Sequence, residues 1–368
     1  MTAVSAAVVD NPGAPFVVRE VTLADPQPGE VLVRMVATGL CHTDLGVQAG
    51  GIPFPLPGVL GHEGAGVLEE VGDPGGALRV GQKVLLSFTS CGDCGGCRGG
   101  HPAYCDSWVP RNLIAGRRDD GSPTIHQDGA AIGGRFFGQS SFATHALADV
   151  RSVVPVADDA PLELLAPLGC GVQTGFGTVW RILAPAPGST LAVFGAGAVG
   201  LSAVMAANLL PLRRVIAIDL SAERLELARE LGATHAIDAT TGDLEEQLTA
   251  ITEGRRLDNA LETTASPQVL EAAIRSLGTG GSCAVIGAPP MGTAASFDVQ
   301  GLLVGKRIIG VTLGDGDPQT LLPQLVDLHR RGKLPLERII RHYPLAEIDA
   351  AAHDMHSGRT IKPVITFG

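Results

Sequence analysis

The feature that most restricts the fold of this chain is a glycine-rich turn between a predicted strand and a predicted helix. The turn contains Gly195, Gly197 and Gly200, the strand covers residues 191–194, and the helix covers residues 199–210. The first glycine permits a tight turn, the second lets a phosphate approach the backbone, and the third lets helix and strand pack closely. The helix N-terminus then offers N–H groups to a pyrophosphate. In isolation this glycine pattern can be an ordinary turn. Because it lies between a strand and a helix, we predict a dinucleotide-binding site here.

Strands and helices alternate through the rest of the second half of the sequence. The predicted strands are short apolar runs at residues 191–194, 215–219, 236–238, 259–263, 283–286 and 308–311. Amphipathic helical patterns lie between them, for example at residues 223–231 and 268–277. Such alternation is typical of the α/β class with a doubly wound parallel sheet. We therefore predict a complete dinucleotide-binding domain in this half.

An acidic residue ends the second of these strands. The Asp219 carboxylate can accept both ribose hydroxyls of NAD and would repel the 2′-phosphate of NADP. Arg224, one turn further on, is predicted to flank the same ribose. The alternative for Asp219 is the N-cap of the following helix, because aspartate is a favoured cap. The pattern favours NAD as the cofactor.

The composition limits the class of protein and of partner. A chain of 368 residues suggests two domains, and 45% hydrophobic with 18% charged residues is typical of a globular protein. The formal net charge of −11 argues against binding to nucleic acid or to an anionic membrane surface. The sequence has no apolar run long enough for a membrane span and no recognisable signal peptide, so we expect a cytoplasmic protein.

The first half of the sequence has the pattern of a mostly β domain. Its extended segments at residues 31–37, 66–71, 83–88 and 142–147 are separated by glycine and proline. A helical stretch at 319–330 and a strand-like segment at 363–367 are predicted to return to this domain. We therefore predict a catalytic domain at 1–166 and 309–368, and a cofactor domain at 167–308.

Four of the seven cysteines lie close together in one glycine-rich loop. They are Cys91, Cys94, Cys97 and Cys105. Four thiolates on one loop can surround a zinc ion as a closed tetrahedron, which is a structural rather than a catalytic arrangement. An iron–sulfur cluster or a redox pair is the alternative that the spacing leaves open.

Other candidate ligands are dispersed along the chain. They are Cys41, His62 with the adjacent Glu63, and Cys170. One histidine and two cysteines would leave zinc a fourth position for water or substrate, as in catalytic sites. Taken singly, each is more often a core thiol or a hydrogen-bonded core histidine, and the spacing does not join them.

Together these motifs resemble the zinc-containing medium-chain alcohol dehydrogenase family along nearly the whole chain. The matching segments are Gly39-Leu-Cys-His-Thr-Asp44, Gly61-His-Glu-Gly-Ala-Gly66, the four-cysteine loop, Gly169-Cys-Gly171, residues 195–200 with Asp219, and Ser357-Gly-Arg-Thr-Ile-Lys362. Phe137-Gly-Gln-Ser-Ser-Phe142 and Gly171-Val-Gln-Thr-Gly175 most resemble the branch that acts on benzyl and other aryl or allylic alcohols. The resemblance implies a GroES-like, mostly β catalytic domain and a Rossmann-type cofactor domain.

The resemblance also implies roles for the metal-binding residues. Cys41, His62 and Cys170 become ligands of a catalytic zinc, and the four-cysteine loop binds a second, structural zinc. Glu63 is an acid that approaches the metal during ligand exchange, and Asp44 orients the ring of His62. Two zinc ions per chain are therefore expected.

The chemistry and its cofactor follow from the same resemblance. Zinc acts as a Lewis acid, Thr43 takes the alcohol proton, and NAD takes the hydride. The implied NAD-binding residues are His42, Thr174, Gly195, Gly197, Val199, Gly200, Asp219, Arg224, Ile286 and Lys362. One departure is Gly46, because many relatives carry a histidine there at the end of a proton relay. We predict that the proton instead leaves through Thr43 and the cofactor ribose to water or another base.

The substrate pocket is predicted from aromatic residues and from their positions in the family. The candidates are Phe88, Trp108, Phe136, Phe137, Ala288 and Thr312. Aromatic walls suit a flat apolar alcohol, although the same residues can be ordinary core filling.

Two other activities use the same architecture. A dehydrogenase acting on the formaldehyde adduct of glutathione or mycothiol would need cations at the pocket mouth, for which Arg111, Arg117 and Arg118 are candidates. A conjugated-alkene reductase is the second alternative. For any of the three activities, the resemblance implies a homodimer or homotetramer.

Overall fold

The chain separates into two compact units. The computed structural model describes residues 1–73 and 76–368. Unit 1 comprises Met1–Cys170 and Asp317–Gly368, and unit 2 comprises Gly171–Gly316. Both boundaries lie later in the chain than the predicted 166/167 and 308/309.

Two hydrogen bonds are consistent with the later boundaries. Within unit 1, the Ser87 hydroxyl donates to the Gly169 carbonyl over 2.7 Å, which ties the segment leading to Cys170 to this unit. Within unit 2, the Arg181 side chain donates to the Asp315 carbonyl over 2.8 Å. Residues 309–316 therefore belong to unit 2.

The described residues form short strands and helices throughout. The strands are β1 (Thr2–Val9), β2 (Val17–Leu23), β3 (Glu30–Gly39), β4 (Gly58–Val59), β5 (Gly64–Val71), β6 (Lys83–Leu86), β7 (Ile125–Gln127), β8 (Ala130–Ile132), β9 (His145–Asp149), β10 (Val153–Pro155), β11 (Thr190–Phe194), β12 (Arg214–Asp219), β13 (His235–Asp238), β14 (Leu257–Glu262), β15 (Leu277–Val285), β16 (Arg307–Gly310), β17 (Ile340–Pro344) and β18 (Lys362–Thr366). The helices are α1 (His42–Gln48), α2 (Gly95–Arg98), α3 (Leu162–Leu165), α4 (Gly171–Gly177), α5 (Ala198–Ala207), α6 (Ala222–Glu230), α7 (Leu244–Thr252), α8 (Pro267–Ser276), α9 (Val299–Leu302), α10 (Pro318–Arg330) and α11 (Ile348–His356). Within residues 1–73 and 76–368, none of these helices has the length and apolar character needed to cross a membrane.

Unit 1 is built on two sheets of mainly antiparallel strands. The five-stranded sheet has the order β4-β1-β2-β7-β8, and the seven-stranded sheet has the order β10-β6-β5-β3-β18-β17, with β9 also paired to β3. Alternate side chains of β3 point to one face, where Val31, Val33 and Met35 pack with Leu68 and Val84. β18 pairs with β3, so the C-terminal segment completes a sheet of unit 1.

Unit 2 contains one parallel sheet with the order β13-β12-β11-β14-β15-β16. This is the order of a doubly wound dinucleotide-binding sheet, whose ligands bind at the carboxyl ends of the strands where the order reverses, between β11 and β14. Its core includes Ala192, Phe194, Ile216, Ala260 and Cys283. The predicted α/β fold class is confirmed.

A buried ion network connects distant segments of unit 1. Glu30 pairs with Arg118 at 2.9 Å and also contacts Arg135. Arg135 in turn lies 3.1 Å from Asp149. All four side chains are buried, so removing one charge leaves its partners uncompensated in surroundings of low dielectric.

We expect Glu30→Gln to destabilise unit 1 by about 3–5 kcal/mol, because two buried guanidinium groups lose their shared carboxylate. Urea unfolding followed by circular dichroism measures the loss. The control is Glu69→Gln, which removes solvent-accessible pairs with Arg34 and His145 and should cost less than about 1 kcal/mol. Equal losses in the two variants would contradict this account.

Candidate metal centre and cofactor site

The first candidate ligand, Cys41, is fixed by an aspartate one helical turn later. Cys41 is the N-cap of α1, and its N–H donates to the Asp44 carboxylate over 2.9 Å. Asp44 is fully buried, so this short contact is shielded from water. The backbone at Cys41 is therefore held in place by a hydrogen bond to a buried carboxylate.

The same carboxylate fixes the second candidate ligand, His62. One oxygen of Asp44 accepts the Gly61 N–H over 3.1 Å and faces His62 Nδ1 at 3.0 Å. Because a carboxylate only accepts, His62 donates through Nδ1. Its Nε2 is buried and has no hydrogen-bond partner among residues 1–73 and 76–368. A carboxylate on one ring nitrogen and a vacant second nitrogen are typical of metal-binding histidines.

The dispersed candidates meet at one point of unit 1. The ligand atoms of Cys41, His62, Glu63 and Cys170 all lie within 4.8 Å of one another. Two sulfurs and one imidazole nitrogen are the donors of a catalytic zinc site with one open position. The donor set and the vacant Nε2 of His62 therefore fit zinc, with Glu63 as the adjacent acid.

Burial and hydrogen bonds set the protonation of this centre. A hydrogen bond with Cys170 lowers the pKa of Cys41 well below its ordinary value and raises the pKa of Cys170 well above it. Burial disfavours charge on His62, but the Asp44 carboxylate outweighs it and raises the pKa of His62 to about 10, so a metal that binds at Nε2 would displace a proton. The centre thus favours a thiolate at Cys41, the form that binds zinc.

Glu63 forms a buried ion pair with a lysine from β18. Lys362 Nζ lies 2.7 Å from the Glu63 carboxylate and donates to the Leu40 carbonyl over 2.9 Å. Burial raises the pKa of Glu63 to about 7 against the opposing influence of Lys362. The contact of Lys362 with a pyrophosphate stays a prediction. His42, the other residue predicted to meet the phosphates, is exposed on α1.

Aromatic side chains pack against His62. The Phe137 ring stacks on the imidazole with centroids 4.4 Å apart, and Phe136 meets it edge-on at 5.4 Å. Trp108 contacts the edge of Phe137 at 5.5 Å. Three predicted pocket residues therefore form one cluster at the centre, while Phe88 is buried in the core of unit 1.

The predicted proton acceptor also lies beside the centre. Thr43 Oγ1 is 3.8 Å from the Cys41 sulfur. At Gly46, in the same helix, an added Cβ would lie 2.8 Å from the end of the Ile52 side chain. Ile52 thus occupies the space beside position 46, where many relatives carry the histidine.

The four-cysteine loop is already arranged for a metal. The sulfurs of Cys91, Cys94, Cys97 and Cys105 lie within 4.8 Å of one another. The Cys94 and Cys97 N–H groups each donate to a sulfur of the cluster over 3.4 Å. The bond from the Cys97 N–H lowers the pKa of Cys94 to about 6. Four converging thiols with backbone donors fit a closed tetrahedral zinc site.

The glycine-rich loop of unit 2 has the geometry that its pattern predicts. Gly195 has a φ of 96°, which favours glycine. A Cβ on Gly200 would lie 1.8 Å from the Gly195 carbonyl, so only glycine lets α5 pack this closely on β11. Gly197 is the N-cap of α5, and a Cβ there would meet no atom of the described chain within 4 Å. The N-terminus of α5 therefore has an open approach at Gly197.

Asp219 connects this loop to the end of β12. Its carboxylate accepts the Ala196 N–H over 2.6 Å and the Leu220 and Ser221 N–H groups over 2.8 and 2.9 Å. Ser221 is the N-cap of α6, and its hydroxyl accepts the Arg224 N–H. The alternative that Asp219 caps this helix is therefore wrong.

The remaining predicted residues of unit 2 lie at the ends of its elements or in its first helix. Thr174 is buried on α4, Val199 lies in the first turn of α5, and Ile286 directly follows β15. Ala288 is exposed, and Thr312 is half-buried after β16. Their contacts with cofactor or substrate stay predictions.

One polar side chain beside the centre was not predicted. Gln139 is buried and bonds to the backbone of His62, Gly64 and Ser87. It belongs to the segment that resembles the aryl-alcohol branch, but a single buried glutamine produces no periodicity or ligand spacing. Only its place in that segment could have drawn attention to it.

Known proteins match both units of this chain. Residues 27–158 match the alcohol dehydrogenase GroES-like domain, and residues 198–329 match the zinc-binding dehydrogenase family. A geraniol dehydrogenase of Castellaniella defragrans is 43% identical over 364 residues, which cover 98% of this chain and 97% of that protein. The crystal structure of benzyl alcohol dehydrogenase from Acinetobacter calcoaceticus has 44% identity, a TM-score of 0.96 and coverage of 100% of both chains.

A third relative gives the same result. An alcohol dehydrogenase zinc-binding domain protein from Burkholderia ambifaria is 48% identical, has a TM-score of 0.96, and matches 100% of this chain and 99% of that one. These similarities run through the centre of unit 1 and the glycine-rich loop of unit 2 alike. We conclude that the chain belongs to the zinc-type medium-chain alcohol dehydrogenase family.

Proposed function

We propose that this protein is an NAD-dependent zinc enzyme that interconverts aryl or allylic primary alcohols and their aldehydes. The observation that carries the proposal is the convergence of Cys41, His62 and Cys170 with two phenylalanine rings packed against the histidine. Flat apolar substrates suit such rings. The names of two relatives, a geraniol and a benzyl alcohol dehydrogenase, support the same substrate class.

The residues of the centre have separable tasks in this proposal. When bound, zinc would supply a Lewis acid that lowers the pKa of an alcohol hydroxyl, and NAD would supply the hydride acceptor. Cys41, His62 and Cys170 would hold the metal, and Asp44 keeps the His62 ring oriented through Nδ1. The Thr43 hydroxyl, 3.8 Å from the Cys41 sulfur, would take the alcohol proton. A second zinc would occupy the four-cysteine loop, whose donor set is closed.

An open sheet edge supports assembly of the protein as a homodimer. Among the described residues, β16 pairs with β15 alone and ends the sheet of unit 2. Leu303, Val304 and Ile308 are exposed on and before this strand. An outer strand with exposed apolar side chains favours association with another chain. A homotetramer would need a second interface.

The first alternative, a thiol-adduct dehydrogenase, loses two of its three candidate cations. Arg118 is buried against Glu30, and Arg111 forms an ion pair with Asp119. Engaged guanidinium groups are poorly suited to bind the carboxylates of a charged thiol. This supports an uncharged alcohol as the substrate, and the conjugated-alkene reductase stays the second alternative.

We expect zinc-loaded protein to produce NADH faster with benzyl, cinnamyl and geranyl alcohols than with short aliphatic alcohols. Initial rates of NADH absorbance measure this. Cys170→Ala should abolish turnover because it removes a metal ligand, whereas Cys283→Ala, which alters a buried thiol in the sheet of unit 2, should retain it. Turnover of only the formaldehyde adducts of glutathione or mycothiol would favour the first alternative.

The choice of NAD depends on the charge of Asp219. Asp219→Asn loses the charge together with one of the backbone bonds to the carboxylate. Loss of that bond affects both cofactors alike, so the ratio of kcat/KM for NADP over NAD should still rise by about tenfold, the usual difference between charged and neutral hydrogen bonds. Asp238→Asn, at the end of the neighbouring strand β13, is the matched control and should leave the ratio unchanged. An unchanged ratio in both variants would argue against ribose recognition by Asp219.

The proton route can be tested at Gly46. Because Ile52 fills the adjacent space, the variant is Gly46→His combined with Ile52→Ala, and Ile52→Ala alone is the control. The added imidazole supplies a base, so the pH profile of kcat should gain a dependence on a group with a pKa of about 6.5. Identical profiles would count against the predicted route through Thr43 and the cofactor ribose, which an imidazole at position 46 should join.

A further inference from the structure

The side-chain amide of Gln139 makes three hydrogen bonds to backbone groups around the metal centre. Its Oε1 accepts the Gly64 N–H over 3.0 Å, and its Nε2 donates to the His62 carbonyl over 3.0 Å and to the Ser87 carbonyl over 2.8 Å. The side chain is 1% exposed, so water does not compete for these bonds. A fully bonded buried amide resists displacement.

Two of these bonds bracket Glu63. His62 and Gly64 are its neighbours in sequence, so the amide of Gln139 fixes the peptide on both sides of the acid. A Cβ on Gly64 would lie 2.9 Å from Gln139 Oε1, so glycine at this position lets the amide reach the N–H. The His62–Gly64 segment cannot rotate without breaking a bond to Gln139.

The third bond leads to the last zinc ligand. Ser87 accepts from Gln139 with its carbonyl, and its hydroxyl donates to the Gly169 carbonyl over 2.7 Å. Gly169 directly precedes Cys170. Gln139 and Ser87 therefore connect the His62 segment to the Cys170 segment.

We propose that Gln139 is a positioning residue that sets the separation of His62 and Cys170 before zinc binds. This inference rests on the proposed function, because it takes both residues as zinc ligands. Asp44 links Cys41 to His62, and Gln139 with Ser87 links His62 to Cys170. With both links in place, all three ligands are fixed by buried side chains, and zinc binding does not have to order them.

The test compares two buried amides that each make three backbone bonds. Gln139→Met keeps the length of the side chain and removes its polar atoms. The matched control is Asn112→Leu, because within residues 1–73 and 76–368 the Asn112 amide bonds to the backbone of Thr89 and Trp108 alone. Zinc affinity is measured by competition with the indicator 4-(2-pyridylazo)resorcinol, and the site is identified as the one missing in Cys170→Ala. The absorption of cobalt-substituted protein reports ligand geometry independently of activity.

We expect Gln139→Met to bind zinc at this site about 10–100-fold more weakly and to shift the cobalt spectrum, as loss of an outer contact to a metal ligand commonly does. Asn112→Leu should lower the thermal midpoint of unfolding but leave the affinity and spectrum of this site within about twofold of the parent, since its backbone partners Thr89 and Trp108 flank the four-cysteine loop and not Cys41, His62 or Cys170. Equal zinc affinities in the two variants would overturn the proposal, because Gln139 would then be only a stabilising residue.

A second pair of variants serves if Gln139→Met does not fold. Ser87→Ala removes the hydroxyl bond to Gly169, and Ser152→Ala removes a bond of the same 2.7 Å length to the Asp149 carbonyl. Only Ser87→Ala should weaken zinc binding. If instead the parent protein and Cys170→Ala bind the same number of zinc ions, the metal centre of the proposed function fails, and the positioning role fails with it.

Discussion

The Asp44 carboxylate is the interaction on which the metal centre depends. It joins the turn before α1 to the segment before β5, because it accepts from the Cys41 N–H, the Gly61 N–H and His62 Nδ1. Three donors satisfy a fully buried carboxylate, so the cost of its desolvation is offset. The carboxylate can therefore orient His62 while leaving Nε2 directed at the cluster.

Glu63 is a second buried acid at the centre, and Lys362 is its counterion. Burial favours the neutral form of Glu63, whereas the ammonium 2.7 Å away favours the charged form. Removing one member of such a buried pair leaves the other unpaired, which is costly. Lys362 is on β18, at the C-terminal end of the chain, so closure of the centre depends on the return of that strand to β3.

The sequence predicted what local spacing determines. The four cysteines lie in one short loop and the glycines at 195, 197 and 200 in one turn, so their geometry follows largely from their order in the sequence. Cys41, His62 and Cys170 were joined only by resemblance, because a fold, and not a spacing, brings them together. Gln139 was missed and Lys362 was assigned only to the cofactor, because hydrogen bonds between distant segments leave no periodic pattern.

Glycine explains how an acid can be packed so tightly into this centre. A Cβ on Gly39 would lie 1.8 Å from a Glu63 carboxylate oxygen, and a Cβ on Gly169 would lie 3.3 Å from its Cα. The backbone at Gly39 and at Gly169 thus packs directly against Glu63, where a larger residue would not fit. Because these segments end in Cys41 and Cys170, the same close approach that encloses Glu63 also brings the two thiols together. The glycines in these motifs are therefore needed for close packing, just as the cysteines beside them are needed as ligands.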